Sequence, residues 1–180
     1  AAENQINTGR HKLDPQEPSI GAWVHYGLGS LNDNLPQFVV LGGPTRTDTR
    51  LSIAANYLGP QHAGVPLKIA PANPLPFGRP PVGKPAAIQQ NEFDLVARLN
   101  RLTAAERPHD ADLRARIRAA ELAFKMQTAV PEAMDFKPET AAIRKMYGLD
   151  QSATKAAGQR CLAARRLVER GVRFVQVFAT

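Results

Sequence analysis

Apolar positions recur through the second half of the chain with the spacing of helices, and in two short runs with the spacing of strands. Ile88, Leu95, Leu99 and Leu102 fall on one face and predict a helix ending near Glu106. Leu113, Ile117, Ala120 and Phe124 mark a second helix, with Asp110 placed to accept from its free first-turn amides and Pro131 to end it. Pro138 suits the first turn of a short helix through Met146 and Tyr147, which Gly148 closes. Asp150 or Ser152 caps a last helix, whose predicted inner stripe is Ala157, Cys161, Ala164 and Val168. Residues that small allow close approach to a sheet. Gly171 then stops the helix, and Val172 to Ala179 reads as a strand carrying Phe174, Val175, Val177 and Phe178. Its nearly continuous apolar run, broken by Arg173 and Gln176, is that of a strand covered on both faces of a parallel sheet.

The first half alternates turn signals with two further elements. Ser19 is placed to cap a short helix over Ile20 to Tyr26, with Trp23 and Val24 apolar and Gly27 and Gly29 closing it. Phe38 to Leu41 predicts a strand between Pro36 and the Gly42-Gly43 pair. Between Pro60 and Pro85 stand eight of the fifteen prolines, which excludes a regular helix or a central strand there. Val65, Leu67, Ile69, Leu75 and Phe77 make that stretch an ordered, packed excursion rather than a free linker. Residues 86–180 form the helical part, ending in the strand. A helix, a glycine stop and a buried strand are half of a βαβ unit. The expected fold is therefore α/β: a mostly helical segment carrying two or more strands of a larger mixed sheet. Because the strand at Val172, read as the most buried one, closes the chain, residues 1–180 read as the middle segment of one larger domain.

Composition narrows the classes without naming a chemistry. Hydrophobic residues at 43% and charged residues at 22% are globular values, which sets wholesale disorder aside. No apolar run approaches the ~20 residues of a membrane-spanning helix. The single cysteine, Cys161, excludes an internal disulfide framework and a four-cysteine zinc module. The net charge of +7 is spread out: Lys and Arg number 16 against 11 Asp and Glu from Asn91 onward, and 7 against 5 before it. Arg114, Arg116 and Arg118 point to different sides of a helix, and aromatics are only 6%. That pattern is a solvated basic surface and argues against nucleic-acid binding.

Individual motifs are weak. Gly78 to Pro85, GRPPVGKP, has the glycine and lysine spacing of a phosphate-binding loop. Its prolines remove the amide donors such a loop needs, and Pro85 stands where the magnesium-binding hydroxyl belongs. It is a decoy. His11, His25, His62 and His109 lie in separate segments without ligand spacing, and His25 beside Trp23 and Tyr26 reads as a packed residue. Cys161, on the predicted inner stripe, reads as core rather than nucleophile. This segment is therefore expected to hold no divalent metal and no cofactor of its own. Asn7, Thr8 and Gly9 read first as a turn beside Arg10, and second as the wall of an anion-binding pocket.

Several stretches taken together resemble one family. NTGR with PSIGAWVHYGLGSLNDNLPQFVVL, then ELAFKMQTAVPEAMDF, YGLD and GQRCLAARRLVERGVRFVQV, are similar in the same order to uncharacterised sulfatase-like bacterial proteins of the alkaline-phosphatase superfamily. The resemblance runs from about Asn4 to Val177. It implies an exported or periplasmic protein with an alkaline-phosphatase-like α/β fold, of which this chain is the partial, middle segment. It also implies metal-dependent hydrolysis of sulfate or phosphate esters, with zinc, calcium or magnesium in the full-length protein. Nucleophile and metal ligands are expected in flanking sequence, including an Asp and a His within roughly ten residues after Thr180, a loop length. No catalytic or metal residue transfers to this chain, which alone is expected to be inactive. Asn7, Thr8 and Arg10 are left as candidate borders of the substrate pocket. The expected partners are the remainder of the polypeptide or other chains of an assembly. The alternative function is a noncatalytic structural or binding component of a multi-chain assembly.

Overall fold

A computed structural model describes residues 2–11, 16–42, 53–70 and 85–178. Among them, in chain order, are α1 (Ala2–Thr8), α2 (Ile20–Leu28), β1 (Phe38–Leu41), β2 (Val65–Leu67), α3 (Ala86–Glu106), α4 (Ala111–Met134), α5 (Ala141–Met146), α6 (Ser152–Glu169) and β3 (Phe174–Val177). The fold is mixed α/β. The three strands form one parallel sheet in the order β2-β1-β3, with Val39 opposite both Val65 and Val175.

The middle strand, β1, is buried at all four positions, as FVVL with no polar side chain requires. Its Phe38 ring packs against α2 so closely that a Cβ on Gly21 would stand 2.5 Å from Phe38 Cζ. Ser19 caps α2 by accepting from the Ala22 amide at 3.4 Å, and Gly29 at φ +62 closes it. Strand β2 contains Pro66, which a sheet tolerates here because β2 lies at the edge of the described strands and Pro66 is exposed. Within the proline-rich stretch Leu67 is buried and Val65 and Ile69 pack against the core; Leu75, Phe77 and the phosphate-loop lookalike through Lys84 lie outside the described residues.

The core continues into the second half of α4 and one face of α6: Met126, Val130, Ala133 and Met134 meet Leu162, Ala163 and Leu167. Several expectations are corrected here. Pro131 does not end α4, which runs on to Met134 because Val130, Ala133 and Met134 are anchored in the core. Arg166 also satisfies the helix end, donating from Nε to the Ala133 carbonyl at 2.9 Å and from Nη2 to the Glu132 carbonyl at 3.1 Å. The short helix starts at Ala141 with Thr140 as its cap, leaving Pro138 in the preceding turn. Neither Asp150 nor Ser152 caps α6; Gln151 occupies that position without a side-chain bond.

The inner face of α6 is Gly158, Leu162, Ala163, Arg166 and Leu167, one residue out of phase with the predicted stripe. Ala157, Cys161 and Val168 are exposed, and Ala164 only packs at the core's margin. Likewise Ile88, Leu95, Leu99 and Leu102 of α3 are exposed. That helix meets α4 instead through Gln89, which bonds Gln127 at 3.0 Å, and Phe93, stacked on Phe124 with ring centroids 4.0 Å apart. Strand β3 is half-buried rather than covered on both faces, and among the described residues only β1 pairs with it. The fully covered strand is β1.

Candidate functional site

Parallel strands end together, so the loops beyond their carboxyl ends can place side chains around a common point. Leu41, Leu67 and Val177 lie side by side at that edge. There Gln176 of β3 donates from Nε2 to Asn7 Oδ1 at 2.7 Å, which ties the last turn of α1 to the sheet. Gln176 Oε1 is buried and has no hydrogen-bond partner among the described residues. Gly9, at φ +72, turns the chain out of α1, and the Arg10 amide donates to Thr8 Oγ1 at 3.3 Å. The structure thus places Asn7 against the strand end, Thr8 half-buried beside it, and Arg10 exposed in the following turn.

Sequence reading missed Arg160 at this edge. Its Nη1 donates to the Phe178 carbonyl at 3.1 Å, and a Cβ on Gly42 would stand 2.6 Å from its Nε. The shifted phase of α6 hid it: the predicted stripe faced Ala157 and Cys161 inward, when the helix turns Arg160 toward the strand end. Cys161 itself is an exposed free thiol.

A second feature lies at the opposite, amino end of the strands. His25 comes from the last turn of α2 and His62 from a single 3-10 turn, Pro60–His62, just before β2. Their rings meet edge to face with centroids 4.5 Å apart, and Tyr26 packs on His62 at 5.4 Å. The sequence places these two histidines in separate segments, and the fold brings their rings together. Between them and α4 opens a cleft of about 790 Å³, walled by Val65, Leu122 and Met126, with Arg118 on one side. Both histidine Nδ1 atoms are buried without a hydrogen-bond partner among the described residues.

Burial, then the neighbouring His62, pushes His25 down from its ordinary 6.5 to about 4. Burial, then Arg118, lowers His62 as well. Both rings are therefore neutral at neutral pH. A direct consequence is testable by following the imidazole signals in a pH titration. His25 is expected to protonate with a midpoint near 4, while the unfolded chain takes up that proton near 6.5. Its contribution to stability is thus complete above pH 6.5 and lost as pH falls toward 4. Replacing His25 with glutamine is expected to flatten stability against pH across that window. A native-state midpoint near 6 would contradict the burial argument.

Among the described residues no group of three or more His, Cys, Asp or Glu is arranged to hold a metal ion, so His25 and His62 have no third ligand of these types. No described helix is long and apolar enough to cross a membrane. The family described as "Protein of unknown function (DUF1501)" matches the chain over residues 1–180. No curated protein and no solved structure matches it.

Proposed function

The chain belongs to the DUF1501 family of proteins of unknown function, and from that premise we propose that it is the middle segment of an exported, metal-dependent hydrolase of sulfate or phosphate esters with an alkaline-phosphatase-like fold. The observation that carries this reading is the Gln176–Asn7 hydrogen bond at 2.7 Å, which brings the NTGR turn to the carboxyl end of a parallel sheet. In this reading Asn7, Thr8 and Arg10 border the pocket. The amide and hydroxyl offer neutral hydrogen bonds, and the exposed Arg10 guanidinium offers charged ones to the oxyanions of a sulfated or phosphorylated substrate.

The described residues do not form a metal-ligating set. The nucleophile and the ligands for zinc, calcium or magnesium are assigned in this reading to sequence outside these residues, where carboxylate and imidazole donors suit such ions. What this segment supplies is substrate orientation at the rim and a rigid sheet edge behind it.

The test is an assay of the intact protein on 4-nitrophenyl sulfate and 4-nitrophenyl phosphate, after chelation and after return of each metal. Turnover of one ester that a metal restores is the expected result. Arg10→Ala is then expected to raise KM about fivefold with kcat little changed, the worth of ~1 kcal/mol for one exposed hydrogen bond. No turnover of either ester with any of the three metals would sink the reading. The noncatalytic alternative would then stand, and one observation favours it: the exposed aliphatic stripe Ile88, Leu95, Leu99 and Leu102, a face suited to another chain of an assembly.

A further inference from the structure

Helix α3 meets α4 through the face that carries Gln89, Phe93 and the buried Ala97. Phe93 and Ala97 lie about 160° to either side of Leu95 around the helix, so Leu95 points away from α4. Ile88, Leu99 and Leu102 share that outer face, and all four side chains are at least 49% exposed. We propose that α3 is a self-association helix: two copies of the chain pair through this face, their α3 helices antiparallel about a twofold axis near Leu95 and Leu99. The pairing goes beyond the hydrolase reading and holds whether or not any ester is turned over.

The spacing is that of a helix–helix seam. Ile88, Leu95 and Leu102 stand seven residues apart, and Leu99 falls between the last two at the four-then-three step of a heptad. Together they span an arc of only about 60°, narrower than the apolar face of a helix that covers a sheet. With Leu95 opposite Leu99 of the second copy, each Leu102 reaches the second helix between its Ile88 and its Leu95. Both helices then offer the same residues to each other, which is what a closed twofold contact requires.

Charge selects the second copy and the orientation. Asp94 and Arg98 lie on one flank of the seam, about 100° and 60° round from Leu95 on the same side. The other flank carries Gln89, Val96 and Thr103 and no charge. Asp94 accepts only from Gln90 Nε2 at 2.9 Å, and among the described residues no ion pair joins it to Arg98, whose side chain is exposed. In a parallel pair the charged flank would face Val96 and Thr103 of the other helix. In an antiparallel pair like flanks meet with their order reversed, so Asp94 of each copy faces Arg98 of the other. In the register set by Leu95 and Leu99, the two side chains stand within about 3 Å of the same level along the axis, well inside the reach of an arginine. The pair occurs twice, once on each side of the axis. An unrelated apolar segment would bury the leucines but would leave this order of charges without a use.

Sedimentation velocity on the intact protein over a concentration series tests this, with thermal melts to show that each variant is folded. Expected is a reversible equilibrium between monomer and dimer, since one helix pair is a small interface. Leu99→Glu, a change at an exposed position, should weaken the dimer about tenfold or more by placing a carboxylate at its desolvated centre, with Tm unchanged. Asp94→Arg and Arg98→Asp should each weaken self-pairing, because each sets like charges opposite one another. Mixed together, those two variants should pair, and the double variant should recover the parental affinity. A monomer at every concentration would overturn the proposal; a fall in Tm with Leu99→Glu would then assign the face to another part of the polypeptide. A dimer indifferent to Leu99→Glu, or charge reversals that fail to compensate, would overturn it equally.

Discussion

Replacing Arg166 with methionine is expected to lower stability by about 3–5 kcal/mol, the cost of breaking a buried ion pair from one side. Arg166 is 9% exposed and sits on the inner face of α6 among Leu162, Ala163 and Leu167. Its guanidinium has three acceptors from two parts of the chain. Nε and Nη2 reach the Ala133 and Glu132 carbonyls at the end of α4, and Nη1 reaches Glu139 Oε1 at 2.6 Å. Methionine fills the space but leaves Glu139, whose side chain is only 7% exposed, with Arg165 alone at 3.1 Å. It also strips two helix-end carbonyls of their donors. Adding Glu139→Gln should recover only part of the loss, since the carbonyls stay unsatisfied. Urea midpoints of the single and double variants measure this, and a single variant within about 1 kcal/mol of the parent would refute the cost assigned to the buried pair.

The same cluster sets the acid limit. The Arg166 hydrogen bond, opposed by burial and helped by Arg165, holds the Glu139 carboxyl below its ordinary 4.5. Its contribution is therefore fully present above the unfolded value of 4.5 and is lost as pH falls through the lower folded value. That window lies below most of the one assigned to His25, so Glu139→Gln and His25→Gln should alter different parts of the stability curve.

What was legible in the sequence was local. Ser19 and Asp110 announced their helices because a cap acts on amides three residues away: Asp110 Oδ1 accepts from the Leu113 amide at 2.8 Å. Phe38 to Leu41 was legible because four apolar residues between turn signals fit the covered middle of a sheet. The phase of α6 was not, because apolarity alone puts small residues inward and Arg166 outward. Only Glu139 and the end of α4, both distant in sequence, make Arg166 an inner residue. Pro131 misled for a similar reason: a local helix breaker was outweighed by the burial of Val130, Ala133 and Met134 around it. At the candidate sites, Asn7 stands out in its turn, but its partner Gln176 reads in the sequence only as a polar residue in a strand. The meeting of His25 with His62 left no spacing signal, since it depends on how α2 and the 3-10 turn pack beside β1.

Gly158→Ala is the second large effect, and its direction reverses what a helix position normally gives. In an open helix, alanine is more favourable than glycine by ~1 kcal/mol. Gly158 lies in α6 where the helix crosses the Tyr147 backbone: an added Cβ would stand 1.9 Å from the Tyr147 carbonyl oxygen and 3.2 Å from Leu149 Cδ2. The obstacle is a peptide group, which cannot rotate aside as a side-chain end does. Tyr147 is also tightly tied, its amide donating to the Ile143 carbonyl at 3.0 Å, and Gly148 beyond it sits at φ +65 with its carbonyl accepting from Thr154 Oγ1 at 2.8 Å. Relief therefore requires α6 to move off the turn, opening contacts made by Leu162 and Leu167 in the core. A net loss of about 3 kcal/mol or more is expected for such overpacking. In a chain this size that is a fall in Tm of roughly 6–12 °C. Gly27 in α2 is the internal control: nothing lies within 4 Å of its added Cβ, so Gly27→Ala should leave Tm unchanged or raise it slightly. Paired thermal melts decide the matter. Equal responses from the two variants would mean that α6 does not press on the Tyr147 carbonyl.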